Sequence, residues 1–318
     1  MADGPGLPYH LLHRGGRPGW WRPLLGVLAL IAAFVVVVPL LLQIPFALGL
    51  SFAGRAVAGG REELLDFDDP TPLGLAYLNL SIACAILVTW LISRVLHGLR
   101  PGWLASVRPR IRWGWLVTCF GISIVALFAT LVVSALLPQQ GEGTEISGTV
   151  NDFTETTRNF ALVVLLLTPL QAAGEEYAFR GYLTQAFGGL FGREWAAVLF
   201  PAILFALAHG SQDAPIFFDR FAFGVVAGVL VVRTGGLEAG IAMHVLNNWL
   251  AFGIALAFGD MASSLNPTGG TWWSIPVTLT QSLGFLFLVL WAARRRDLRT
   301  TSSTPGGPGV LVGPSGAV

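Results

Sequence analysis

Lysine is absent from this 318-residue chain, and all 19 basic residues are arginine. Charge of either sign is scarce, with 12% of residues charged against ~25% in an average soluble domain. The two cysteines, Cys84 and Cys119, both sit inside apolar runs and cannot build a disulfide framework. A net charge of +1 excludes the strongly basic surface that nucleic-acid binding needs. What fills the place of charge is apolar: 54% of the chain is AVILMFWYC, with 39 glycines besides, and mean hydropathy is +0.67. That content excludes a disordered chain. At ~150 residues per domain the length suggests about two soluble domains, but the apolar residues lie in long runs, which overrides that prior. The composition is that of a polytopic membrane protein.

Crossing ~30 Å of hydrocarbon takes ~20 helical residues. Eight segments qualify: 24–52, 72–96, 114–137, 159–187, 195–214, 216–233, 237–257 and 272–293. The expected fold is therefore an all-α bundle of about eight transmembrane helices. The first segment is too long for a signal-peptide core and reads as a retained anchor. The sixth is the weakest, being short and starting at Asp219 and Arg220.

Arginine resists translocation, so Arg-rich loops mark the cytoplasmic side. Arg14, Arg17 and Arg22 precede the first segment. Arg100, Arg108, Arg110 and Arg112 fill loop 97–113, and Arg294, Arg295, Arg296 and Arg299 follow the last segment. Alternate loops are acidic, with Glu62, Glu63, Asp66, Asp68 and Asp69 in one and Glu142, Glu145, Asp152 and Glu155 in another. An even span count, both termini cytoplasmic and a plasma-membrane location satisfy this pattern. Trp20, Trp21, Trp113, Trp115, Trp195, Trp272 and Trp273 near segment edges suit interfacial anchoring.

The chain divides into a cytoplasmic segment 1–23, helices one to three with their loops over 24–158, a core of helices four to seven over 159–257, a last helix within 258–293, and a Ser/Thr/Gly/Pro-rich tail 294–318 expected to be disordered. An ionisable side chain at bilayer depth costs ~2.5–3.5 kcal/mol or more, so each one asks for a reason. Segment four reads Gln171-Ala-Ala-Gly-Glu175-Glu176-Tyr-Ala-Phe-Arg180. Segment five contains Phe205-Ala-Leu-Ala-His209, and segment seven contains His244-Val-Leu-Asn247-Asn248. Glu176 and Arg180 are i,i+4 with the acid first, the favourable order for an intrahelical pair. Glu175 is rotated ~100° away and can face the interior without a local countercharge, an environment that suits a general base. His244 and Asn248 share one helix face. The estimated depths of Glu175, His209, His244 and Asn248 allow them to meet in one polar chamber.

Each motif also has a plainer reading. Glu176–Arg180 can be a structural tie, a lone His near a span end a core residue, and His–Asn interhelical glue. Co-occurrence in three packable segments favours a site. Together, Glu175-Glu176-x-x-x-Arg180, Phe205-x-x-x-His209 and His244-x-x-x-Asn248 resemble the three motifs of the CAAX prenyl protease and bacteriocin-processing (CPBP) family, over about residues 160–255. The resemblance implies intramembrane hydrolysis of a peptide or protein substrate near the cytoplasmic side. It also implies that Glu175 and His209 activate water, that His244 and Asn248 stabilise the carbonyl oxygen, and that Glu176 and Arg180 support them. Glu175, His209 and His244 are also a candidate Zn²⁺ set, and the same residues equally serve a metal-free glutamate mechanism.

Competing chemistry finds no footing. No His-Glu-x-x-His occurs. Gly313-Pro-Ser315-Gly316 formally matches a serine-protease motif but lies in the polar tail, where nothing activates the serine. Two other classes stay open on sequence: a non-catalytic scaffold or immunity-type membrane protein, and a transporter relaying protons through a buried Glu. The second predicts broken helices or an inverted repeat, and neither is apparent.

Overall fold

The computed structural model describes residues 6–66, 68–136, 149–210 and 212–305. Its helices are α1 (Trp21–Phe52), α2 (Pro72–His97), α3 (Trp113–Leu136), α4 (155–191), α5 (Glu194–Leu207), α6 (Ala214–Thr234), α7 (Glu238–Phe258) and α8 (Ser274–Arg295). The fold is an all-α polytopic bundle. Six helices, α1 to α3 and α6 to α8, are long and apolar enough to cross a membrane. The weak sixth segment is thus a full-length helix in spite of Asp219 and Arg220. Segments four and five differ from simple spans.

The start of α4 is capped by Thr154 and Thr157, each accepting from the other's backbone N–H. The helix breaks at Leu167, two residues before Pro169, whose ring and missing N–H disturb the preceding turn. It resumes over Thr168–Glu175, widens into a π-helical stretch over Glu176–Leu183, and ends with Thr184–Phe191. The charged motif therefore sits where the helix changes pitch, a distortion that recurs at functional sites. Helix α5 is only 14 residues long. It stops at Leu207, and Gly210, with φ +79°, turns the chain away in a conformation that favours glycine.

Within the bundle, α3 packs on α7 and α8, α6 lies against α5 and α8, and α4 packs on α2 and α7. The outer faces stay apolar and exposed, including Val35 on α1, Val117 and Phe128 on α3, and Phe287 on α8. Such faces are stable only in lipid, where helices satisfy their own backbone groups. The chain is a multi-pass membrane protein. Trp20, Trp21, Trp113, Trp195, Trp272 and Trp273 are exposed near helix ends, as interfacial anchors should be. Trp115 is not: it is 4% exposed, with the Arg296 guanidinium 5.9 Å from its ring centroid, so it is a core residue.

One end of the bundle gathers the Arg-rich segments. Arg14 Nε donates to Gly189 O, Arg17 Nη1 to Val95 O and Arg22 Nη1 to Leu96 O. These arginines cap the last carbonyls of α4 and α2, where cations also suit the helix dipole. Val107 N donates to Gly235 O and Leu237 N to Ala105 O, which joins loop 97–113 to the α6–α7 turn. Residue 300 onward was expected to be disordered. Instead β2 (Thr301–Pro305) pairs antiparallel with β1 (Gly6–Pro8) at this same end, because Leu7 N and Ser302 Oγ, among others, satisfy each other across the pair. Residues 306–318, with the Gly313–Gly316 motif, lie outside the described residues, as do Glu142 and Glu145.

Beside this cap, the Tyr9–Gly15 turn buries His10 and His13, whose ring stacks on His97 at a centroid distance of 4.0 Å. Burial, reinforced by neighbouring His97, holds the His13 imidazole well below its ordinary 6.5, and burial lowers His10 too. The unfolded chain then binds more protons than the folded chain once pH falls below 6.5, so stability is full above that value and declines beneath it. Thermal unfolding in detergent should show a lower midpoint at roughly pH 5 than at pH 7.5, and His13→Phe should flatten that dependence.

Candidate functional site

Glu175, the last residue before the π-helical stretch, is 8% exposed, and Glu176 is fully buried. Their carboxylates bracket one imidazole. His244 Nδ1 lies 3.0 Å from Glu176 Oε1, and its Nε2 lies 3.4 Å from Glu175 Oε2. Since a carboxylate only accepts, Nδ1 carries the proton in the bond to Glu176. Arg180 Nη1 is 3.0 Å from the same Glu176 Oε1, which confirms the expected intrahelical pair and adds His244 to it. Gly240, one turn before His244, makes the approach possible: a Cβ there would overlap the Glu176 carboxylate.

Glu175 was expected to face the interior without a local countercharge, and its hydrogen-bond partner is neutral: Gln171 Nε2 donates to its Oε1 at 2.7 Å, and Asn248 Nδ2 donates to Gln171 Oε1 at 3.0 Å. The chain Asn248–Gln171–Glu175 ties α7 to α4. Glu175 Oε2 accepts no hydrogen bond from the described residues. Gln171 was visible in the sequence but carried no role there. Its i−4 spacing from Glu175 was the signal that could have found it.

Phe205 and His209 enter differently. The Arg180 guanidinium stacks 4.1 Å from the Phe205 ring centroid, a cation–π contact that holds a buried cation with little hydrogen bonding. Phe205 and Phe223 also present T-shaped contacts to His244, with centroids at 6.0 and 5.1 Å. His209 lies just past the end of α5. Its Nδ1 donates to Phe205 O at 2.7 Å, since a carbonyl can only accept, and this leaves Nε2 with its lone pair. His209 makes no hydrogen bond to Glu175, His244 or Asn248 but lines the same cavity.

That cavity is about 1010 Å³. Its polar wall carries Gln171, Glu175, His209, Asp219, Arg220, His244, Asn247 and Asn248, and its apolar wall comes from α1 and α2, including Leu30, Phe34, Leu75 and Ile82. Asp219 and Arg220 had been read only as weakening a span, yet both face the site. Arg220 Nη1 donates to Gln212 Oε1 at 2.6 Å. Among the described residues no group of three or more His, Cys, Asp and Glu side chains is placed to hold a metal ion. Glu175 and His244 offer two donor atoms 3.4 Å apart, without a third.

Residues 157–250 match the family described as type II CAAX prenyl endopeptidase Rce1-like. Over this segment the chain is similar to that family, as the three motifs in the sequence led one to expect. The Rce1-like segment spans α4 to most of α7 and contains every motif residue named above, Gln171 included. Helices α1, α2, α3 and α8 lie outside it, although α1, α2 and α8 all contribute to the cavity wall. A Bacillus subtilis (strain 168) protein, described as uncharacterized protein YyaK, is 27% identical over 233 residues, 69% of this chain and 75% of that protein. No solved structure matches the chain.

Proposed function

We propose that the protein is an intramembrane endopeptidase of the plasma membrane, with both termini cytoplasmic, that hydrolyses a peptide bond with a glutamate-activated water. The observation that carries this reading is the Glu175 carboxylate. It is buried, one oxygen accepts from Gln171, the other accepts no hydrogen bond and lies 3.4 Å from His244 Nε2, and the residue lines a cavity shared with His209, His244 and Asn248. A purely structural polar cluster needs the Glu176–Arg180–His244 tie, but it has no use for a second buried carboxylate beside a large cavity with one oxygen that accepts no hydrogen bond.

In this scheme Glu175 takes a proton as water oxygen bonds to the scissile carbonyl carbon. The lone pair of His209 Nε2 accepts the water's other hydrogen in a bond that orients it. The oxyanion receives the second N–H of Asn248 and, when His244 is protonated, its Nε2–H. Glu176 holds His244 from the far side, and Arg180 holds Glu176. As the tetrahedral species collapses, the C–N bond breaks and Glu175 returns the proton to the amine.

The test uses the full-length chain in nanodiscs with fluorogenic peptides, with and without a thioether-linked prenyl chain. Asn248→Ala should lower turnover by ~10²–10³-fold, the usual cost of losing one oxyanion donor, and His209→Ala should also abolish most of it. Full activity in either variant would overturn the mechanism. Zn²⁺ held by Glu175, His209 and His244 is the alternative, and a chelator separates the two: turnover that survives chelation supports the glutamate scheme.

A further inference from the structure

We infer that the site is entered from the non-cytoplasmic face, so that the substrate is a membrane-anchored peptide whose cleavable segment lies on that side. This rests on the peptidase reading above and on the arginine distribution that places the Arg-rich end in the cytoplasm.

The two ends of the bundle are built differently. At the Arg-rich end Leu99, Leu104, Ser106 and Val107 are at most 1% exposed, and Tyr9 and Leu12 are fully buried beneath the β1–β2 pair. Arg112 crosses this end to the fully buried Glu238, with Nε to Oε1 at 2.8 Å and Nη2 to Oε2 at 2.6 Å. Gln185 Nε2 adds a bond to Trp103 O at 2.8 Å. Nothing in that layer lines the cavity. At the opposite end the cavity wall includes His209 and Gly210, both exposed, together with Ser264 and Asn266. These residues belong to the loops that follow α5 and α7, which Asp213 Oδ2 ties together by accepting from Gly269 N and Gly270 N at 2.7 and 3.2 Å. Because α5 starts at the Arg-rich end, where Glu194 pairs with Arg233 at 2.7 Å, its far end and the loop after it must lie on the other face. The Arg-rich layer is a floor, and the α5–α6 and α7–α8 loops frame the mouth. The family resemblance had put the chemistry near the cytoplasmic side; the packing reverses the side of access while keeping the topology that the arginines set.

The apolar cavity wall from α1 and α2 continues the mouth sideways toward lipid, since Ile31 and Val35 both line the cavity and are exposed. A peptide attached to a membrane anchor can therefore keep its apolar part against α1 while a polar backbone segment descends past His209 to Glu175.

The experiment is side-specific labelling of the full chain with a membrane-impermeant maleimide in sealed right-side-out and inverted vesicles. The background carries Cys84→Ser and Cys119→Ala, and single cysteines are placed by Ser264→Cys at the mouth, Gln281→Cys in the cavity wall and Arg100→Cys at the Arg-rich end. The expected result is that Ser264→Cys and Gln281→Cys label in right-side-out vesicles and Arg100→Cys only in inverted ones. Labelling of Gln281→Cys from the Arg100 side alone, or from neither side, overturns the proposal, as does labelling of Arg100→Cys from outside. If the cysteine-free background does not fold, protease added outside to the native chain should cut within 259–273 and spare 97–113, and the reverse pattern overturns the proposal equally. Labelling needs no turnover, so its outcome is independent of whether Glu175→Gln destroys activity.

Discussion

Replacing Glu175 by Gln is expected to abolish hydrolysis while leaving the protein folded. The amide keeps the shape and its oxygen can still accept from Gln171 Nε2, so the link to Asn248 through Gln171 Oε1 is retained. What it cannot do is accept a proton from water and return it to the amine. General-base contributions are typically ~10²–10⁴-fold, and here the same group also serves as the acid, so turnover should fall at least to the upper part of that range. Two readouts are required together: cleavage of the fluorogenic peptides, and an unfolding midpoint in detergent close to that of the parent chain. Glu176→Gln provides the contrast. It leaves the proton-transfer group in place but weakens the hold on both Arg180 and His244. It should therefore lower stability as well as rate, because Arg180 is 1% exposed and is left with aromatic faces, Phe205 at 4.1 Å and Phe223 and Phe179 at 5.6 and 5.9 Å, in place of a carboxylate. If Glu175→Gln keeps full cleavage, Glu175 is not the base and the mechanism falls; if the parent chain cleaves none of the peptides and Glu175→Gln keeps the biological function, the scaffold reading, in which these carboxylates only knit helices, replaces the catalytic one.

Glu238→Ala is expected to be the most destabilising single change away from the site. Glu238 is fully buried and Arg112 nearly so, and the carboxylate accepts from Arg112 backbone N, Nε and Nη2 at 2.9, 2.8 and 2.6 Å. Removing one member of such a pair leaves the other charge buried without compensation, at a cost of ~3–5 kcal/mol. Replacing both members by apolar residues of similar size often restores much of that stability. Glu238→Leu combined with Arg112→Met should therefore unfold at a higher temperature than Glu238→Ala alone, although Arg112 Nη1 also serves Thr234 O at 2.9 Å and that carbonyl stays unpaired. Unfolding midpoints of the three variants in one detergent decide this. A Glu238→Ala chain as stable as the parent would show that the floor does not depend on the pair.

These two cases show where local reading succeeds. Helical spacing is a property of a few consecutive residues, so the Glu176–Arg180 pair, the shared face of His244 and Asn248, and six long apolar helices with ends near those expected were all legible along the chain. So was the separation of Arg-rich from acidic loops, because insertion responds to charge near each span. The failures have a common cause as well. Arg112 looked like one topogenic arginine among several, and nothing in its neighbourhood in sequence announces Glu238, 126 residues away. Trp115 was taken for an interfacial anchor because, like Trp113, it lies near a segment edge, but helix rotation turns one outward and the other inward. Segment four was read as a uniform span, since hydropathy is blind to the break at Leu167 and to the widened pitch after Glu175.

By itself, then, the sequence determined that the chain lives in a membrane, which segments are helical, and which few residues are too polar for their surroundings without a reason. Those are consequences of solvent and of helical period, both of which act locally. Only the tertiary structure decided what those residues meet: both carboxylates on one imidazole, Gln171 between Glu175 and Asn248, Phe205 beneath Arg180, and a cavity open at one end and floored at the other. Contacts of that kind depend on the rotation and depth of each helix relative to its neighbours, which packing sets and hydropathy does not encode.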